Sequence, residues 1–185
     1  MSIEVRPVRD GDFFAWLDVY AKYAEFYNTQ LTDQKALLLW SWLTDADHEE
    51  SGYVAVDGER VLGLAHVREF ARPLEGDRGL FLDDLFVVDE ERGRGVGAAL
   101  IQKARSLAEE RGLGVVQWIT AQDNTTAQKL YDDVASRTSW VTYEIDLTKA
   151  RASGQGGEPA DSADSSGGQS ATGDAEAAHT TAGRG

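Results

Sequence analysis

The chain contains no cysteine, three prolines and a single methionine among 185 residues. Without cysteine it can form no disulfide scaffold, zinc–cysteine site, thiol nucleophile or iron–sulfur cluster. No apolar run approaches the roughly 20 residues of a membrane-spanning helix, and the start, Met1-Ser2-Ile3-Glu4-Val5-Arg6, lacks the basic-then-apolar order of a signal peptide. A soluble, cytoplasmic protein with one core of ordinary size is the expectation.

Positive charge is also scarce. Lys and Arg number 18 against 32 Asp and Glu, for a net charge of −14. Sequence-independent nucleic-acid binding relies on basic side chains to neutralise phosphates, so this balance argues against it. Five of the 18 basic residues are lysine, and the acids are spread along the chain. That surface chemistry resembles salt-adapted proteins, in which screening relieves self-repulsion. From residue 149 onward alanine is the only hydrophobic side chain, and Gly, Ser, Ala, Asp and Thr make up most of the remainder. Such a segment cannot offset its ordering entropy by burial, so 149–185 is expected to be a disordered tail. It carries five acids and three bases, which leaves 27 acids and 15 bases in a folded domain over 1–148. The acidity belongs to that domain, not to the tail.

Hydrophobic periodicity predicts the order β, α, α, β, β, β, α, β, α, β. Ile3 and Val5 open a short strand, and Asp10 can cap a helix through Asn28 whose aromatics Phe13, Trp16, Tyr20, Tyr23 and Tyr27 recur every three or four residues. That stripe suits a core, or one wall of an acceptor site. Thr32 can cap a second helix through Trp42. Tyr53, Val54 and Val56, then Asp57-Gly58, then residues 61–70 read as a β-hairpin, because Asp-Gly supplies the positive φ of a tight turn. Further strands are expected over 80–88, 115–120 and 140–147, with helices over 95–112 and 124–135. A hairpin combined with a β-α-β crossover implies an α/β fold: a mixed central sheet flanked by helices.

Between the strand ending at Val88 and the next helix lies Asp89-Glu90-Glu91-Arg92-Gly93-Arg94-Gly95-Val96-Gly97-Ala98. Glycines let successive N–H groups converge, and a helix start adds partial positive charge, so the loop suits a phosphate, with Arg92 and Arg94 as supplements. It is not a Walker A loop, because no Gly-Lys-Ser/Thr follows. Gly93 to Ala98 spells a dinucleotide fingerprint, G-x-G-x-x-A, but four charged residues separate it from the strand and an antiparallel hairpin precedes it.

Arg92-x-x-Gly95-x-Gly97 matches the R/Q-x-x-G-x-G/A loop of the GCN5-related N-acetyltransferases. The stretches Phe81-Leu-Asp-Asp-Leu-Phe-Val87 and Trp118-Ile-Thr-Ala-Gln-Asp-Asn124-Thr-Thr-Ala127-Gln-Lys-Leu-Tyr131 occur in that family's order and spacing. The chain thus resembles this family over about 61–147, and within it the branch of diamine, polyamine and histone acetyltransferases. The resemblance implies an acyl-CoA N-acyltransferase fold in which acetyl-CoA lies between two splayed strands. It places the pantetheine arm on the backbone of Leu85, Phe86 and Val87, and the pyrophosphate on Gly93 through Ala98. It needs no metal. Helix spacing independently puts Asn124, Ala127 and Tyr131 on one face, with Asn124 both capping the helix and facing the cofactor.

An alkyl ammonium with a pKa near 10.4 must lose a proton before it can attack. Asp83 is the expected water-relayed base or amine anchor, while Asp84 should point to the opposite face and serve structure. Tyr131 is the expected general acid for the CoA thiolate. His66 among Leu64, Val67 and Phe70 reads as structural. The expectation is therefore direct acetyl transfer to a primary amine: a polyamine, an amino acid or a basic peptide. Arg137-Thr-Ser-Trp140 stands where the family usually has Gly-Phe, and in this branch a late strand commonly pairs with a second subunit, which implies a homodimer. Two other readings remain at this point, a non-catalytic acetyl-CoA binding or sensing module and a nicotinamide oxidoreductase.

Overall fold

A computed structural model describes residues 2–147. Five strands, β1 (Glu4–Pro7), β2 (Glu50–Asp57), β3 (Arg60–Arg72), β4 (Asp77–Val87) and β5 (Val116–Gln117), form one sheet in sequence order. The first four are antiparallel, and β5 joins β4 in parallel after the crossover helix α3 (Val96–Glu110). The expected mixed sheet is therefore present. Helices α1 (Phe13–Phe26) and α2 (Asp33–Thr44) precede β2, and α4 (Thr125–Val134) follows β5.

Strand alternation divides the apolar residues between two cores. Val54 and Val56 pack with Trp16, Val19, Leu43 and Phe86 on the side of α1 and α2. Tyr53 and Ala55 pack with Leu100, Ile101, Ala104 and Leu107 of α3 on the other side. Asp57-Gly58 makes the β2–β3 turn with Gly58 at φ 63°, as the sequence predicts. Thr32 caps α2 by accepting from the Lys35 N–H at 3.3 Å.

Three boundaries differ from expectation. A 3-10 turn at Asp10–Asp12 precedes α1, because Asp12 bonds the Arg9 N–H and the Arg6 guanidinium and so serves the turn instead of a longer helix. Strand β5 keeps only two residues of the six expected, since the chain parts from β4 after Gln117. The strand expected over 140–147 does not form: residues 139–147 hold no helix or strand, and Trp140, Val141, Tyr143, Ile145 and Leu147 are exposed. Alternation records which side chains could be buried, but a strand also needs a neighbour to complete its ladder. The expected tail, 149–185, lies outside the described residues.

Candidate active site

Departure of β5 from β4 opens a cleft of about 870 Å³ lined by Leu85, Phe86 and Val87 on one side and Trp118, Ile119 and Thr120 on the other. The Val88 N–H donates to the Leu62 carbonyl at 3.0 Å. Antiparallel ladders alternate bonded and non-bonded pairs, so Phe86 opposite Leu64 also spends its backbone groups on β3. Leu85 and Val87 consequently turn their N–H and C=O groups toward the cleft. Of the three expected backbone contacts, the ladder leaves these two, and the Val87 carbonyl already accepts from Arg92 Nε at 3.3 Å.

The glycine loop closes one end. Gly93 and Gly95 adopt φ of 74° and 84°, a left-handed conformation costly for side-chain-bearing residues. Gly95 is the N-cap of α3 and provides no side-chain cap. The first intrahelical bond runs from the Ala99 N–H to the Gly95 carbonyl at 2.9 Å, so the N–H groups of Val96, Gly97 and Ala98 point out of the helix start with the positive end of its dipole. A Cβ on Gly97 would stand 3.0 Å from a Leu130 methyl, so glycine there also permits the approach of α4 to α3. These features fit a pyrophosphate.

The two loop arginines separate. Arg92 lines the cleft, pairs with Asp89 at 2.7 Å and lies over the rings of Phe26 and Phe86. Arg94 is absent from the lining: it pairs at 2.7 Å with Glu91, which is 2% exposed and also holds Arg60. Arg94 thus fastens the base of the loop.

Asn124 accepts from the Ala127 N–H at 3.3 Å and donates to Thr120 Oγ1 at 3.4 Å, which caps α4 and ties it to the segment that follows β5. Asn124, Ala127 and Tyr131 all line the cleft, as their spacing predicts. Tyr131 packs edge-on against Trp118 with ring centroids 5.3 Å apart. Burial, and then the neighbouring Tyr27, push its phenol up to about 12, so it stays protonated and able to donate at neutral pH.

The acidic pair departs from simple alternation. His66 opposes Asp84 and Val67 opposes Leu82, so Asp83 is the extra residue of a β-bulge. Bulges re-aim side chains. Both acids consequently line a second cavity of about 500 Å³, and Asp83 also lines the main cleft. This corrects the expectation that Asp84 faces away. Its structural duty is nonetheless plain. Trp16, fully buried, donates Nε1–H to His66 Nε2 at 3.0 Å. An indole N–H only donates, so that imidazole nitrogen accepts, and the proton of the neutral ring sits on Nδ1, 2.8 Å from Asp84 Oδ2. Tyr20 donates to the same oxygen at 3.3 Å, and Tyr23 donates to Asp84 as well. Burial drives the Asp84 carboxyl upward, but these bonds, that of His66 foremost, outweigh it and hold the group below the usual carboxylate range. Asp83 behaves oppositely: burial keeps it raised even though Arg68 pairs with it at 3.0 Å.

The sequence profile of the acetyltransferase (GNAT) family matches residues 16–134. The chain belongs to this family. It is an N-acetyltransferase that draws on acetyl-CoA, and the nicotinamide reading gives way. Relatives include the D-amino-acid N-acetyltransferase HPA3 of Saccharomyces cerevisiae, 30% identical over 77% of this chain and 89% of that protein. An uncharacterized N-acetyltransferase of Bacillus subtilis, YhfO, is 25% identical over 70% of this chain and 87% of its own length. The aminoglycoside acetyltransferase AAC(6')-Iy, solved with a CoA bisubstrate analogue, shares the fold with a TM-score of 0.68 at 18% identity, covering 79% of this chain and 99% of that one. Among the described residues of this acetyltransferase, no cluster of His, Asp or Glu could hold a metal, and no helix is long and apolar enough to cross a membrane.

The aromatic stripe of α1 in this GNAT chain divides between core and cavity wall, the two uses its spacing allowed. Tyr23 and Tyr27 border both cavities, while Phe13 and Trp16 from the same stripe are packed inside, so the aromatic face of α1 is core at one end and wall at the other. Glu50 borders the smaller cavity from the first residue of β2. Nothing in its Glu49-Glu50-Ser51 context marks it, because only the sheet register brings it beside Asp83 and Asp84.

Proposed function

We propose that this enzyme moves the acetyl group of acetyl-CoA directly to a primary amine, with no acyl-enzyme intermediate. The observation that carries this reading is the meeting of an uncapped glycine-bounded helix start, the two outward backbone positions on β4, and the Tyr131 phenol in one cleft. Leu85 and Val87 hold the pantetheine amides, and the N–H groups of Val96, Gly97 and Ala98 hold the pyrophosphate with Arg92 beside them. An outward N–H near Val87 polarises the thioester carbonyl as charge develops on its oxygen. Asp83, on the wall common to both cavities, orders the water that relays a proton away from the ammonium. Tyr131 gives its proton to the departing thiolate, whose thiol has a pKa near 8.5. Acceptors to be compared are polyamines, amino acids including the D-enantiomers named for the yeast relative, and basic peptides. Release of CoA thiol from acetyl-CoA with a panel of such amines tests the reading, and a chain that binds acetyl-CoA but releases no thiol with any of them is a binding module instead. In Tyr131→Phe, kcat is expected to fall by about 100-fold while acetyl-CoA affinity stays within a factor of two. Equal loss of both would make Tyr131 a packing residue.

A further inference from the structure

Three carboxylates border the smaller cavity, and they are not equivalent. Asp84 already accepts from His66, Tyr20 and Tyr23, and Asp83 is paired with Arg68. Glu50 differs: its Oε1 is shut off from solvent and has no hydrogen-bond partner, alone in this among the buried side-chain polar atoms of the described residues. A carboxylate with one oxygen withdrawn from water and unmatched is expensive to ionise, and a cation seated beside it in the cavity relieves that cost. Away from the acids most of the lining is apolar or aromatic, with Tyr27, Leu31, Leu38 and Trp42 among it, beside the polar Thr29, Gln30 and Lys35, whose ammonium donates to the Gln30 carbonyl at 3.1 Å. One unmatched carboxylate in a largely apolar and aromatic chamber complements one cationic centre on an apolar body. A polyamine carries further ammonium groups along its length, and the remaining carboxylates here are already engaged.

We propose that the smaller cavity is the acceptor site, that it takes a primary monoamine on an aliphatic or aromatic body, and that Glu50 binds the ammonium and accepts its first proton. This rests on the acetyltransferase reading above and fixes the acceptor class and proton sink of the same site. Tyr23, Tyr27 and Asp83 border both cavities, so an amine seated beside Glu50 faces the acetyl cleft across a common wall. The ammonium N–H bond breaks and the proton passes to Glu50, through water at Asp83. The freed lone pair attacks the acetyl carbon, and a C–N bond forms as the C–S bond breaks. The thiolate takes the Tyr131 proton, the second amine proton restores the phenol, and Glu50 releases its proton to solvent. Each turnover yields amide, CoA thiol and one proton.

Charge around Glu50 suits this task. Burial, then Asp83 and Asp84 on β4 and the adjacent Glu49, raise its carboxyl to about 7 against the pull of Arg68 on β3. Lys35 of α2 and Tyr20 of α1 border the same cavity, and the His48 ring accepts the Glu50 backbone N–H at 3.0 Å. Proton transfer from an ammonium near 10.4 is then uphill by about three pKa units, whereas an ordinary glutamate would make it about six.

The test uses the full chain at saturating acetyl-CoA and reads thiol release from 2-phenylethylamine and hexylamine against putrescine and spermidine, between pH 5 and 9. The monoamines are expected to exceed the polyamines at least 10-fold in kcat/KM, with an acidic limb centred near pH 7. Glu50→Gln should lower kcat/KM by about 100-fold or more and abolish that limb while acetyl-CoA still binds. Glu50→Asp should keep the limb. Polyamines favoured 10-fold, or a Glu50→Gln enzyme within threefold of the parent, would overturn the proposal while leaving the acetyltransferase reading intact. Absence of thiol release with every amine would instead sink that reading and this proposal with it. Should Glu50→Gln lose acetyl-CoA binding, Glu50→Asp decides: a retained limb supports the role and its absence overturns it.

Discussion

His66, 1% exposed, receives the Trp16 indole proton on one ring nitrogen and donates from the other to Asp84. Trp16→Phe leaves Nε2 facing a hydrocarbon edge, so stability should fall by about 1–3 kcal/mol in a denaturant titration. Titration sets Asp84 and Glu50 against each other. Asp84, held below its ordinary range, contributes stability that is present above the usual carboxylate pKa and lost as pH falls through its folded value. Glu50, raised to about 7, does the reverse: its cost is absent below the ordinary 4.5 and complete above 7. Glu50→Gln should therefore unfold later than the parent at pH 8, by about 1 kcal/mol after allowance for partial exposure, and show no such gain at pH 4. A stabilised yet slower variant is what an acid retained for chemistry yields. The family motifs made the acidic pair legible, and helix spacing joined them in marking Asn124 and Tyr131. Glu50 stayed hidden, because its environment is assembled chiefly by Arg68, Asp83 and Asp84, which lie 18, 33 and 34 residues further along the chain.

At the scale of elements, the helices and the hairpin were readable because their signals are local: Thr32 at an N-cap, Asp57-Gly58 at a turn, Gly95 before α3. What depends on a partner element was not. The bulge that turns Asp83 toward both cavities follows from the β3–β4 register, and the early end of β5 follows from its divergence from β4. Residues 140–147 carry a strand pattern and hold no strand, with Tyr143 and Ile145 exposed. Gly95 is the sharpest probe of the loop. Gly95→Ala forces a side chain into φ 84°, at a cost of about 1–2 kcal/mol, and should weaken acetyl-CoA binding in calorimetry without shifting the acidic limb of the pH profile. Loss of the limb alone would separate the loop from the cofactor.

Across the whole molecule, the excess of acid has two candidate origins, a salty solvent and a cationic acceptor. A net charge of −14 repels itself at low ionic strength, and molar salt screens that repulsion within a few ångström. If salt adaptation is the cause, Tm should climb steadily from dilute buffer to molar KCl; a flat response would leave the acceptor as the explanation. Carboxylates gathered at one cavity, with Asp83 and Asp84 matched and Glu50 not, favour a substrate share in that charge. The most direct measurement is stoichiometric: CoA thiol released and amine acetylated, counted together at saturating acetyl-CoA. One thiol for each acetylated primary amine, at a rate that collapses in Tyr131→Phe, is the predicted result. Tight acetyl-CoA binding with thiol release no faster in the presence of any amine would contradict it.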